Sequence, residues 1–338
     1  MNEHSVIGLD IAKSVFQVHS VDSQTGQIAR IKLRRRQVLD FFAHRAPAIV
    51  AMEACGSAHW WARQLTALGH QVKLLPPRFV RVFVLRNKTD AADAQAIWTA
   101  AQQPGIKFVA VKSPLQQSVL ALHRLRAQLM KMRIMQSNAL RGLLYEFGEV
   151  LPESYRALCK ELPDRLAGLD QQLPAALLDS LREQWERVCS LEEHIARIER
   201  RLQQVLHEDS HCQAIAAIPG VGVLTATAAV AAMGDPSTFK SGREFSAWLG
   251  LVPRQTGTGG RIRQLGISKR GDAYLRTLLM HAARSVILRS AHLEWIAALL
   301  KRRPFNVVVA ALANKLARTI WAVLARGRPY DPGAFATA

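Results

Sequence analysis

SVIGLDIAKSVFQVHSVD, residues 5–22, decides how the first third of this chain folds. It holds two β-rich runs, SVIGLDIA and SVFQVHSVD, and QIARIKL (27–33) follows with apolar and polar residues alternating, so a three-stranded meander with short turns is expected. Working outward, QVLDFFAHRA (37–46) reads as a helix and AIVAME (48–53) as a buried strand. A helix from Ser57 to Leu68 and a strand QVKLL (71–75) come next, and Pro76 and Pro77 break the chain before a helix carrying NKTDAADAQAI (87–97). The order β-β-β-α-β-α-β-α predicts a mixed sheet covered by helices over residues 1–108.

The 338 residues are 49% hydrophobic, enough for two or three domains with their own cores. Lysine plus arginine number 45 against 26 acidic residues, a formal charge of +19. Such a surplus points to a polyanionic partner, nucleic acid before a ribosome-like setting or a membrane surface. Cys55, Cys159, Cys189 and Cys212 show no metal-ligand spacing and no disulfide framework, which fits free thiols in a reducing compartment. The N-terminus lacks the apolar core of a signal peptide. The late run FNVVVAALANKLARTIWAVLA (305–325) carries Lys315 and Arg318 in its middle, which marks an amphipathic core helix and not a membrane span. A soluble, cytoplasmic protein with no membrane partner is expected.

Residues 109–208 read as a coiled-coil arm. Leu115, Leu122, Leu129 and Leu143 recur at sevens, with Leu125, Met132 and Ala139 as their partners. Leu181, Val188, Ile195 and Leu202 form a second register, with Leu191, Ile198 and Val205 beside it. Two long helices, separated by a connector containing Pro152, Pro163 and Pro174, are predicted. The stripes fit an intramolecular antiparallel hairpin and also a dimer interface. Residues 209–330 read as a small helical domain, with 331–338 as a tail. AIPGVGVLTATAAVAAMGD (217–235) sets Pro219, Gly220 and Gly222 between two helical stretches, a turn that suits packing or a phosphate equally. PRQTGTGGRIRQLGISKRGDAYLR (253–276) reads as a basic, glycine-rich loop with Arg254, Arg261, Arg263, Lys269, Arg270 and Arg276. Residues 261–338 hold 14 basic and 3 acidic residues, so over half of the surplus charge lies in the last quarter, where a phosphate backbone is its complement.

Four acidic residues stand out against this basic background. Asp10 and Glu53 each end an apolar strand, and Asp90 and Asp93 are three apart on a helix, on one face. If the two strands are neighbours, four carboxylates meet in a small space. Hard oxygen donors of this kind select Mg²⁺ or Mn²⁺, and a pair of such ions serves phosphoryl transfer. Each acid also has a structural reading. Asp10 could cap a turn, Glu53 could pair with an arginine, and Asp90 competes with Thr89 for the helix N-cap.

GLDIAKSVFQV (8–18), AMEACGS (51–57) and NKTDAADAQAI resemble the Asp-Glu-Asp-Asp set of RuvC-like, RNase H-fold nuclease domains. With IPGVGVLTA (218–226), FSAWLGLVPRQ (245–255) and LGISKRGDAYLRTLL (265–279), nearly the whole chain resembles the transposases of the insertion sequence 110 family, nearest its 1111 subgroup and related to the Piv DNA invertase. The resemblance implies a RuvC-like domain with Asp10, Glu53, Asp90 and Asp93 as Mg²⁺ ligands, a coiled-coil arm, and a C-terminal transposase domain carrying a nucleophilic hydroxyl. It further implies recombination of donor and target DNA through a covalent protein–DNA link, a guide RNA from the element, and dimers pairing into tetramers in a bacterial, nucleoid-associated setting. The metal domain of one subunit would face the C-terminal domain of another. One departure matters. Where the family has Ser before Gly after LVPR, this chain has TGTGG (256–260), which puts Thr258 at the nucleophile position with Thr256, Ser246 and Ser268 as alternatives. A hydrolytic nuclease acting on Holliday junctions, needing no hydroxyl, and a non-catalytic nucleic-acid scaffold are the competing functions.

Overall fold

The computed structural model describes residues 5–84, 89–290 and 293–333. The chain divides into two compact units, Met1–Pro114 and Leu115–Ala338.

In the first unit β1 (Val6–Asp10), β2 (Val15–Val21) and β3 (Ile28–Arg34) form the expected meander, followed by α1 (Val38–Ala43), β4 (Ile49–Glu53), α2 (Ala58–Ala67), β5 (Gln71–Leu75), a single turn α3 (Pro77–Val80) and α4 (Asp90–Ala101). Asn87 and Lys88 of the acidic motif lie outside the described residues. The sheet order is β3-β2-β1-β4-β5. β1 pairs antiparallel with β2, as β2 does with β3, and parallel with β4, as β4 does with β5. The side-chain period of two gives each strand two faces. Ile7, Leu9, Val50 and Met52 pack under α1 and α2 with Phe42, Trp61 and Leu65. On the other face Ala51 and Leu75 pack with Ala96, Ile97 and Ala100 of α4. Each fully buried Leu, Ile or Phe here contributes about 1.5–3 kcal/mol.

The second unit opens with α5 (Pro114–Tyr145), α6 (Tyr155–Gly168) and α7 (Ala175–Glu208). α5 and α7 run antiparallel, tied by Arg126–Glu199 and Arg133–Glu192 ion pairs. Leu181, Val188, Ile195 and Leu202 of α7 are buried, as their spacing predicted. The stripe predicted for α5 holds in part: Leu122 and Leu129 are half-buried against Ile198, Leu202 and Val205, whereas Leu115, Leu125, Met132 and Leu143 are exposed, and the most buried positions are Val119, His123, Ser137, Leu140 and Leu144. Histidine, arginine and serine interrupt that face, so it carries no leucine heptad. Pro163 does not sit in a connector but inside α6, whose Leu158, Leu162 and Leu166 close a small core with α5 and α7.

The rest comprises α8 (Ser210–Ala216), α9 (Val223–Met233), α10 (Gly242–Trp248), α11 (Ala273–Ser290), α12 (Glu294–Leu300) and α13 (Phe305–Arg326) around one core. α13 is long and apolar enough to cross a membrane, yet Leu312, Leu316 and Ile320 are fully buried in this core. Even Lys315 is 7% exposed, its ammonium lying 4.5 Å from the ring centre of Trp295. Gly220, at φ 82°, packs where a Cβ would meet Ala282 O at 2.8 Å, so the glycine turn of residues 217–222 serves packing against α11. An all-helical C-terminal region was expected, and here the structure differs: β6 (Pro253–Thr258) and β7 (Arg261–Ile267) form an exposed β-hairpin where a basic loop was predicted. Gly259 and Gly260, both at positive φ, make its two-residue turn.

Candidate catalytic and nucleic-acid-binding sites

The parallel register pairs Val6 with Ile49 and runs on to Leu9 with Met52, so the next residues, Asp10 and Glu53, end their strands side by side. Counting by twos along each strand, Asp10 shares a face with Gly8 and Glu53 with Ala51, the face that α4 covers. α4 lies almost on the backbone of β1. A Cβ on Gly8 would fall 2.4 Å from Ala94 O and 2.8 Å from Trp98 Cβ. The Trp98 indole N–H donates to Val6 O at 3.1 Å, while the Trp98 backbone N and Cβ lie over residue 8, so the 94–98 turn of α4 is pinned to β1 at Val6–Gly8. Asp90 and Asp93 lie in the first turn of this same helix.

Thr89 takes the N-cap, its Oγ1 accepting from Ala92 N–H at 3.2 Å, which leaves the Asp90 carboxylate free of capping duty. Both aspartates sit in the helix's first turn, where the dipole favours negative charge. Neither forms an ion pair with a described residue. The Cys55 thiol also reports on this corner: partial loss of water, then the charges of Glu53 and Asp10, push its pKa up. Asp10 and Glu53 thus share one face and one end of the sheet, the face that α4 covers. Among the described residues, no three His, Cys, Asp or Glu side chains are gathered as a metal-binding group. The donor set itself, carboxylate oxygens from two strand ends and one helix turn, suits a hard divalent cation. Gly8 and Trp98 had no role in the sequence reading, although an isolated glycine inside a strand is a signal of close backbone approach.

In the second unit Thr258 closes the hairpin, paired with Arg261, and Thr256 pairs with Arg263. Directly opposed residues share a face with Cβ atoms about 4.5–5.5 Å apart, so each threonine has an arginine as its cross-strand neighbour. Every residue of β6 is exposed, as are Arg261 and Arg263. Arg254, Arg261, Arg263, Lys269 and Arg270 form no ion pair with a described residue, which leaves these cations open to phosphate. Of the alternative nucleophiles, Ser246 is 1% exposed and its Oγ donates to Arg243 O at 2.9 Å, so it is an interior hydroxyl. Ser268 is half-buried at the hairpin base, its N–H bonded to Val252 O at 2.8 Å.

The hairpin base is a backbone clamp. A Cβ on Gly271 would lie 1.8 Å from Trp248 O, and one on Gly250 2.2 Å from Arg270 O. Arg276 Nη1 donates to Leu249 O at 2.9 Å across the same junction. A Gly-Gly pair flanked by Thr and by the alternating Arg-Ile-Arg was the available sign of this hairpin.

Comparison with known proteins gives a consistent answer. Residues 212–299 match the model described as the IS116/IS110/IS902 family of transposases, and residues 7–148 match a DEDD transposase model of the IS110 type. The chain is 48% identical over 335 residues to a probable family 20 transposase of Pseudomonas aeruginosa, covering 97% of this chain and 99% of that protein. It is 38% identical to the transposase for insertion sequence element IS1111A of Coxiella burnetii, covering 99% and 93%. At 23% identity it also aligns with the pilin gene-inverting protein of Moraxella bovis over 96% and 97%.

Proposed function

The chain belongs to the IS116/IS110/IS902 family of transposases, and from that premise we propose that it cleaves and rejoins DNA strands with Asp10, Glu53, Asp90 and Asp93 as the ligands of Mg²⁺ or Mn²⁺. One observation supports the proposal: Asp10 and Glu53 end adjacent parallel strands on the sheet face covered by α4, the helix that carries Asp90 and Asp93. A divalent ion held there would stabilise charge at the phosphate under attack. The carboxylates position it, and the sheet and α4 hold them rigidly.

Thr258 is the proposed nucleophile. Its Oγ1 forms a bond to phosphorus as the phosphorus–oxygen bond to the leaving strand breaks. The threonine proton goes to solvent or a base, and the departing strand oxygen takes one up. A free strand-end hydroxyl then attacks the same phosphorus and restores the threonine, which joins new strands without loss of bond energy. Arg261 and Arg263, opposite Thr258 and Thr256, neutralise the phosphate beside the hydroxyl. A paired hydroxyl and guanidinium on an exposed hairpin supports strand transfer over simple hydrolysis.

A guide RNA from the element, acting on donor and target DNA in the cytoplasm, is the proposed second polyanionic partner of a chain whose formal charge is +19. The organisation is a RuvC-like domain at 1–108, a coiled-coil arm at 109–208 and a transposase domain at 209–330. The apolar stripe left exposed on α5 by its pairing with α7, Leu115, Leu125, Met132 and Leu143, supports oligomerisation through the arm.

The test incubates the purified protein and its guide RNA with element-end DNA and Mg²⁺, traps the protein–DNA adduct and maps it by mass spectrometry. An adduct on Thr258, absent in Asp10→Ala, Glu53→Ala and Asp93→Ala variants that still bind DNA, is the expected result. An adduct on another residue removes Thr258 from the role, and full cleavage by Asp10→Ala removes the carboxylates from theirs.

A further inference from the structure

A second cationic site lies away from the hairpin, in a cavity of about 650 Å³ formed by α13, the start of α10 and the chain beyond residue 326. Its floor is one face of α13: Lys315, Arg318, Ala322 and Arg326 follow at helical spacing. Ala322, lacking a long side chain, leaves the floor open between the two arginines. Gly242 lets α10 approach closely, since a Cβ there would meet Arg318 O at 2.9 Å, and this brings Arg243 to the rim. Gly327, at φ 61°, ends α13 and turns the chain back, so that Arg328 and Tyr330 become a wall. Trp321 is held in place by its indole N–H, which donates to Pro236 O at 3.1 Å.

Five cations thus line one cavity with a single carboxylate, Asp331. Arg243, Arg318, Arg326 and Arg328 form no ion pair with a described residue. Mutual repulsion of that kind is relieved by an anion. The volume falls within the ~300–1,000 Å³ range of ligand pockets. Two aromatic rings beside guanidinium groups match the chemistry that holds an unstacked base and its phosphates, and a duplex, whose bases are stacked inward, does not present it.

We propose that this cavity binds a nucleotide unit of single-stranded nucleic acid, its phosphates on Arg243, Arg318 and Arg326 and its base against Trp321 or Tyr330. The choice of nucleic acid as ligand rests on the proposed DNA-recombining function, but the site uses none of the residues assigned to cleavage. It would hold a strand end or an unpaired segment while the chemistry proceeds elsewhere.

The experiment measures binding of fluorescein-labelled (dT)12 and of a 12-base-pair duplex by anisotropy across salt concentrations, using the full chain. An Arg318→Gln/Arg326→Gln variant should bind (dT)12 at least tenfold more weakly. Its salt slope should be shallower by about 1.4, from ~0.7 for each phosphate that is no longer neutralised. Tyr330→Leu should weaken binding about fivefold or more without changing the slope, since stacking is worth ~1–3 kcal/mol. Duplex affinity should stay within twofold of the parent in both. In the parent, (dT)12 should protect Arg318 and Arg326 from phenylglyoxal, an arm that needs no variant to fold. Equal losses for duplex and single strand would reduce the cavity to general surface charge. Protection by inorganic phosphate but not by (dT)12 would make it a free-anion site, and unchanged (dT)12 affinity in both variants would end the proposal. Asp10→Ala should bind (dT)12 like the parent, so failure of the cleavage assignment and failure of this site give different results.

Discussion

Gly8→Ala tests the geometry on which the catalytic assignment stands, with a perturbation of one methyl group. The added Cβ would lie 2.4 Å from Ala94 O, whereas ordinary contact begins at 3.4 Å, so α4 must retreat by about 1 Å. Trp98 cannot absorb the change, because its backbone N and its Cβ both stand 2.8 Å from the same point. Overpacking of this kind costs about 1–3 kcal/mol, and for a domain of this size each kcal/mol lowers Tm by about 4 °C. The larger effect is positional. Asp90 and Asp93 ride on α4, Asp10 and Glu53 stay with the sheet, and a displacement of ~1 Å in reacting groups lowers a rate by about a hundredfold.

Three measurements separate the consequences: thermal unfolding, Mn²⁺ affinity by titration calorimetry, and cleavage of element-end DNA. The expected pattern is a modest loss of stability, weaker Mn²⁺ binding, and cleavage reduced by about a hundredfold at temperatures where the variant is fully folded. Gly142→Ala, placed on α5 with open space around it, controls for the substitution itself. If Gly8→Ala keeps the parent's metal affinity and cleaves within a few-fold of it, α4 is not held to β1 by this contact and the convergence of the four acids fails as an explanation.

Gly142→Ala should raise the stability of the second unit by about 0.5–1 kcal/mol, read from urea midpoints, because glycine inside a helix gives up more backbone entropy than alanine. Gly271→Ala should fail to accumulate as folded protein, since its Cβ would sit 1.8 Å from Trp248 O at a φ of 90°; a normally melting variant would refute the clamp. Arg261→Glu/Arg263→Glu should weaken duplex binding and make its salt slope shallower by about 1.8, at ~0.9 for each neutralised phosphate, and parent affinity would contradict the hairpin's role. His123, buried between Tyr274 OH at 2.9 Å and Thr227 Oγ1 at 3.0 Å, has its pKa lowered from 6.5 to about 4 by desolvation first and then by Arg126. Its proton therefore binds the unfolded chain more tightly. Stability is whole above pH 6.5 and falls by about 3 kcal/mol as pH drops to about 4, a loss that His123→Gln should abolish in urea titrations.

Much of the first unit was legible because its signals are local. Alternating and continuous apolar runs mark β1 to β5, and the acids at the ends of VIGLD and IVAME announce the strand ends on which they stand. What brings those ends to α4 is not a local signal but the absence of a side chain at residue 8, whose meaning depends on a helix some 80 residues later. The α5 stripe was legible only in part, for a related reason. Leucines at sevens are equally good evidence for a face that meets α7 and for one that meets another molecule, and the partners of Arg126 and Arg133, which decide between the two, lie more than fifty residues away. In the C-terminal part, the glycine-rich, basic composition of residues 253–276 suggested a loop. Gly250, Gly257 and Gly271 instead permit backbone contacts closer than any Cβ tolerates, and the segment forms a hairpin. Glycines 8, 242, 250 and 271 each admit a neighbour that a side chain would exclude, and α4, the β6–β7 hairpin and the α10–α13 cavity depend on those contacts.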